Sequence, residues 1–253
     1  MRPARAHLEA LLRARKLDGT LAPVADAPSL QPIDEYATAS SGVTALDARL
    51  GGGFPRGQIS EVVGARSSGR TSLLLQMLAA ATARRELVAL IDVLDMLDVA
   101  SAEASGIDLD RLLWIRGQVI PNVSAARDLN ERALDHAIKA VTLVLQAGNF
   151  GLVAFDAMEA PPHTLERLPF TTWRRLHRIF EGSQTACVLF ASSSIARSSG
   201  GLTVRVGRTG AGRAGGVRVD GLLCKGIDLE LNVVRAHRYR EEDVRVPLST
   251  ACC

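Results

Sequence analysis

Short apolar runs alternate along the chain with stretches in which apolar residues recur at helical spacing. The run from Gln58 to Val63 reads as a strand, and Arg70 to Arg84 follows with Leu73, Leu74, Met77, Leu78 and Ala81 on one helical face. Glu86 to Asp92 is a buried-type strand that passes into a helix around Asp98 to Ser105, and Leu112 to Arg116 is a further short strand. Ser124 is the expected cap of a long helix to Ala147, with Leu129, Leu134, Ile138, Val141 and Leu145 on its apolar face and Gly148 ending it. Gly151 to Phe155 forms a strand ended by Asp156, Thr171 to Gly182 a helix, and Ala186 to Ala191 a strand opening into Ser192-Ser193-Ser194. From Leu202 to Ser249 the pattern alternates with the period of a strand. Strands alternating with helices predict an α/β fold with a mostly parallel central sheet, to which the last segment adds antiparallel edge strands.

Ahead of this core, Ala4 to Lys16 makes an amphipathic helix with Leu8, Leu11 and Leu12 on one face. A helix of about 13 residues is marginal alone in water and needs a surface to dock on. Pro23, Pro28 and Pro32 mark the next stretch as an extended linker. The expected organisation is a tethered helix over 1–17, a linker over 18–40, a core domain over 41–249 and a tail over 250–253.

Composition narrows the class. With 253 residues, 47% of them hydrophobic, the chain has material for one α/β domain and an extension. No run approaches the ~18 apolar residues of a membrane span, and the N-terminus lacks a signal-peptide core, so a soluble cytoplasmic protein is expected. Cys187, Cys224, Cys252 and Cys253 have no metal-ligand spacing, and no metal is expected. The net charge is +3, carried almost wholly by arginine. A local excess, Arg197, Arg205, Arg208, Arg213 and Arg218, has no acidic residue among it and is the candidate DNA contact, non-specific and salt-sensitive. A solvated hairpin loop has the same composition.

The chemistry concentrates between the first strand and its helix. Gly64, Gly69, Arg70 and Thr71 fit the phosphate-loop spacing G-x-x-x-x-G-K-[ST] at every fixed position except the lysine. Such a loop wraps backbone N–H groups around phosphates at the positive end of a helix. Arg70 keeps the charge, but its planar fork is bulkier than an ammonium on a flexible stem. Ser67, Ser68 and Ser72 complete the loop, and Asp156, at the end of an apolar strand, has the form of the carboxylate that holds the accompanying metal through water.

With these elements in order, residues 41 to 249 resemble the RecA recombinase core. The likeness is clearest in Gly42 to Gly57, Gly64 to Ser72, Ile91-Asp92 and Gly106 to Leu113. Within that superfamily the chain looks most like the ImuA proteins, also described as SulA-related or RecA-like mutagenesis proteins, whose Pro-Arg-Gly step matches Pro55-Arg56-Gly57. That resemblance implies a part in damage-induced translesion synthesis beside RecA, a polymerase-like ImuB and an error-prone DnaE-type polymerase. It also implies that several recombinase residues are replaced. Leu94 stands where the water-positioning carboxylate belongs, and Ser101 where an aromatic ring stacks on adenine. Ser193 stands in place of a sensor glutamine, and Arg235 and His237 in place of a lysine pair.

Two functions compete on this evidence. In the first, a non-catalytic adaptor keeps a degenerate nucleotide site without a required cofactor, and binds RecA, ImuB or a second copy of itself through Leu8, Leu11 and Leu12. In the second, a slow DNA-stimulated ATPase or recombinase paralogue uses ATP and Mg, with Arg70 for lysine and Asp95 or Asp98 for the missing base. A nucleic-acid binder built on the basic arm alone would need no phosphate loop.

Overall fold

The computed structural model describes residues 37–120, 123, 126–196, 200–208, 227–236 and 243–248. Two units are delimited, Met1–Ile33 and Asp34–Cys253. The expected helix with Leu8, Leu11 and Leu12, most of the linker and the tail lie outside the described residues.

The larger unit is built on β3 (Ile59–Gly64), β4 (Val88–Asp92), β5 (Leu112–Arg116), β6 (Leu152–Asp156), β7 (Ala186–Ala191), β8 (Gly200–Arg208), β9 (Ile227–Ala236) and β10 (Asp243–Leu248). They form one eight-stranded sheet in the order β10-β9-β8-β3-β7-β6-β4-β5. β3 runs parallel to β7 and β8, β4 parallel to β5 and β6, and β6 parallel to β7. β9 and β10 are added antiparallel at one edge. The expected architecture is thus the observed one.

Alternation along the strands sorts side chains to the two faces. Val88 and Leu90 join Val62, Phe190 and Val204 under helix α2 (Arg70–Ala83), which buries Leu73, Leu74, Met77 and Leu78. Ala89 and Ile91 join Phe155 and Leu189 on the other face, under α4 (Arg127–Ala147) and α6 (Phe170–Phe180). Both faces are covered, as continuous apolar runs in parallel strands require. Trp173 belongs to this second core, 1% exposed and edge-on to Phe155 at 6.0 Å.

Some boundaries differ from the expectation. α3 (Val99–Ala104) is capped by the Asp98 carboxylate, which accepts from the Ser101 N–H. α4 begins after Ala126, which makes no side-chain cap bond, and Ser124 lies outside the described residues. Leu129, placed on the apolar face by its spacing, is 37% exposed. The core also starts earlier than residue 41, because β1 (Thr38–Ala39) pairs antiparallel with β2 (Phe54–Pro55), flanking α1 (Thr44–Arg49). A short helix α5 (Pro162–Glu166) follows β6.

Arg56 explains the Pro-Arg-Gly step physically. Its guanidinium donates to the carbonyls of Thr38, Gly151 and Gln184 and to the Glu86 carboxylate, at 3.2, 3.0, 2.6 and 2.6 Å. Arg84 grips the same Glu86 and the Ser40 carbonyl. The strand that enters from the linker is thereby fastened to the N-terminal rim of the sheet, the end opposite the phosphate loop.

Candidate functional site

In an open parallel sheet, ligands gather beyond the C-terminal strand ends, where neighbouring connections diverge. β3 ends there in Gly64, between β7 and β8, and leads through residues 65–69 into α2. Ser67 and Gly69 take left-handed backbone angles, φ 57° and 96°, so the chain doubles back into the helix as a phosphate loop does. Gly64 is needed for space, because a methyl group there would run into the Val206 carbonyl and the Ser68 hydroxyl. The loop is packed tightly from behind.

Arg70 is 3% exposed. Its Nη1 and the Ser68 hydroxyl are buried and have no hydrogen-bond partner. Burial lowers the Arg70 pKa from its usual value, while the nearby Glu159 and Asp156 carboxylates push it back up and Arg66 adds to the lowering. Thr71 stands at the loop position whose hydroxyl faces the metal in a working phosphate loop, and here that hydroxyl turns toward the Met158 sulfur at 3.9 Å. Ser67 is exposed, and Ser72 is partly buried in the first turn of α2.

Asp156 ends β6 beside Asp92 at the end of β4, with which it is in register. Burial pushes its carboxyl up to about 7. The Met158 N–H, donating at 2.9 Å, lowers it, Asp92 raises it, Arg70 lowers it and Glu159 raises it. The folded value lies above the ordinary 3.8, so the stability this group contributes is complete below that value and is lost as pH rises through about 7. Asp156→Asn keeps the acceptor for Met158 and removes the charge. It is expected to unfold at a higher temperature than wild type at pH 8, by the equivalent of about 2 kcal/mol, with the difference vanishing near pH 4. Thermal melts of both proteins across that range are the check.

The segment after β4 is built differently. Asp92 is 1% exposed and accepts from the Met96 N–H, the Leu97 N–H and the Trp114 Nε1–H at 2.9, 2.8 and 3.2 Å. It fastens the turn after β4 to β5. Leu94, two residues on, is 5% exposed and packs with Ile91 and Val93 in the second apolar cluster. Asp95 sits at φ 59° and is held by both nitrogens of an Arg116 fork, each at 2.8 Å, which keeps its carboxyl below the usual range. Arg116 also lies over the Trp114 ring, 4.7 Å from its centre. Asp98 caps α3 and binds the Ser101 hydroxyl at 2.6 Å. Both carboxylates weighed as replacement bases therefore have structural duties, and Ser101 gives its hydroxyl to a cap.

ATP with magnesium is what the phosphate loop and Asp156 imply, and the residues fit it in part. Arg70, Ser68 and the N–H groups of residues 64–71 suit a phosphate, and when bound such a group would supply the scissile phosphoanhydride. Leu94, at the place the resemblance gives to the water-positioning carboxylate, offers water no acceptor. No cluster of three or more metal-ligating side chains occurs among the described residues.

Of the two remaining sets of expected residues, two arginines are described, both on β8, which runs parallel beside β3 with Arg205 in register with Val63. Arg205 is exposed on β8, and Arg208 ends that strand. Arg197, Arg213 and Arg218, like Leu8, Leu11 and Leu12, lie outside the described residues. Sequence reasoning missed Glu61, a carboxylate 1% exposed within β3 that accepts four hydrogen bonds from the segments around residues 194–196 and 203. It also missed Glu159, which pairs with Arg66 at 2.9 Å. No helix among the described residues is long and apolar enough to cross a membrane.

Residues 27–159 match the family described as the RecA N-terminal domain, a stretch that ends three residues beyond Asp156 and so contains the phosphate loop, Asp92 and Leu94. A RecA protein of Acholeplasma laidlawii is 39% identical over 121 residues, 47% of this chain and 32% of that protein. One from Nitratiruptor sp. is 35% identical over 132 residues, 52% of this chain and 33% of that protein. One from Borrelia hermsii is 34% identical over 143 residues, 56% and 35% of the two chains. These alignments span about a third of the length of the curated relatives.

Proposed function

Because the chain belongs to the RecA N-terminal domain family, we propose that it is a RecA-like adaptor that acts by docking and not by turnover. The setting is cytoplasmic, in the SOS response to DNA damage, as an ImuA-type member of translesion synthesis. Its partners are RecA, a polymerase-like ImuB and an error-prone DnaE-type polymerase. The observation that carries this reading is Leu94, buried in the apolar core at the position of the water-activating carboxylate. Asp95 and Asp98 are spoken for by Arg116 and by the α3 cap. A leucine cannot orient water, and neither neighbouring carboxylate is in a position to replace it.

A second reading, a slow DNA-stimulated ATPase of DNA repair, draws its support from the buried unpaired Arg70 Nη1 and Ser68 hydroxyl. These groups favour retained phosphate affinity. Affinity without a base does not make turnover.

Docking through the N-terminal leucines separates the readings at the level of partners. Each buried leucine contributes ~1.5–3 kcal/mol, presented on one helical face to a groove. The variant Leu8→Asp, Leu11→Asp is expected to keep the wild-type melting temperature and to lose capture of RecA or of a second copy. A lowered melting temperature with intact capture would mean that the helix folds back on its own core. Unchanged binding to RecA and to itself would refute docking by this helix.

A further inference from the structure

The turn after β6 carries two residues that reach across to the phosphate loop. Glu159 pairs with Arg66 at 2.9 Å, and the Met158 sulfur receives the Thr71 hydroxyl at 3.9 Å. The turn is fixed from below: the Ala157 N–H donates to the Phe190 carbonyl at 2.9 Å, the Met158 N–H to Asp156 at 2.9 Å, and the Ala160 N–H to the Ala157 carbonyl at 3.2 Å. Met158 is 8% exposed and packs in the core beneath α2. This is not a loop lying at random beside the site.

We propose that the Met158-Glu159 turn is a built-in occupant of the phosphate loop. The Glu159 carboxylate supplies, from within the chain, the negative charge that Arg66 and Arg70 would otherwise recruit from a polyphosphate. Three observations meet in this arrangement. Glu159 is in direct contact with one loop arginine. Arg70 is buried, and Glu159 and Asp156 are the anionic groups acting on it. Its Nη1 and the Ser68 hydroxyl remain buried and unpaired, so the charge is compensated while donors suited to phosphate oxygens are left unused. A carboxylate has two oxygens and cannot meet the donors that a tetrahedral phosphate meets.

The same geometry says what releases the loop. The Arg66 side chain is 82% exposed, and ion pairs of that kind contribute little to folding. Removing the Glu159 charge therefore spares the fold and acts on anion affinity. Loss of the negative charge that Glu159 sets against Arg66 is expected to tighten anion binding at least about tenfold.

The inference rests on the proposed reading only in treating the loop as a binding remnant, and its readout is binding without magnesium, not hydrolysis. Calorimetry is run with inorganic tripolyphosphate and, separately, with ATP, on wild type, Glu159→Gln and Glu159→Gln with Arg70→Ala. Glu159→Gln should bind both anions at least tenfold more tightly than wild type and gain melting temperature in tripolyphosphate, and the double variant should lose both effects. Equal affinity in wild type and Glu159→Gln would overturn the proposal. So would an absence of binding by Glu159→Gln at millimolar anion, or tightening that persists without Arg70. ATP hydrolysis by any of these proteins would count against the adaptor reading and leave this inference standing.

Discussion

Glu61→Ala is expected to lose about 3–5 kcal/mol of folding stability, because it strands a set of buried donors at once. Glu61 lies on β3, between β7 and β8, and is 1% exposed. Its carboxylate accepts from the Ser194 hydroxyl at 2.5 Å, the Ile195 and Ala196 N–H groups at 2.6 and 2.7 Å, and the Thr203 hydroxyl at 3.3 Å. Ile195 and Ala196 are themselves buried, so their N–H groups have no water to turn to. Each unmet buried donor costs about 1–3 kcal/mol, and the missing side-chain volume adds to that. Glu61→Gln keeps one acceptor oxygen and most of the volume and should lose about half as much. Urea unfolding of the three proteins measures the ordering wild type, glutamine, alanine. Coincident midpoints for wild type and alanine would show that the network carries no stability.

The strands were legible where both faces are buried. Ala186–Ala191, buried at every position, has the expected bounds because an uninterrupted apolar run has no alternative to a covered parallel strand; Leu112–Arg116 has them too, although as an edge strand it is half-buried or exposed throughout. The β1–β2 pair was not legible, since two-residue strands carry no periodicity and Gly51-Gly52-Gly53 reads as a plain loop. The short α5 gave no periodic signal in five residues, although a proline at the first helical position starts a helix readily, and α5 begins at Pro162. α4 begins after Ala126, whose methyl group cannot accept a capping bond. A rule built on capping residues has nothing to detect there.

Within the site, the phosphate loop and Asp156 were visible because their geometry is local. Spacing alone sets the turn and the helix N-terminus. Glu61 was invisible because its four donors come from residues 133 to 142 positions away, and in sequence it is one polar residue inside a strand. Arg56 is similar, with partners up to 128 positions distant. Glu159 gave no signal either, since a glutamate in a turn is ordinarily solvated. What sequence did carry was the absence at residue 94, and the buried packing of that leucine gives the absence a physical meaning.

Turnover is the second large effect. The protein is expected to hydrolyse ATP ~10²–10⁴-fold more slowly than a RecA recombinase, since that is what losing a positioned base ordinarily costs. The Thr71 hydroxyl is turned to the Met158 sulfur and Glu159 pairs with Arg66, two contacts that compete with a nucleotide in the loop. Binding of nucleotide through the loop N–H groups is compatible with this expectation. The direct test is steady-state phosphate release with saturating single-stranded DNA, for wild type and Arg70→Ala beside a RecA protein. The account predicts background release from both forms of this chain, whereas DNA-stimulated release that disappears in Arg70→Ala would contradict it.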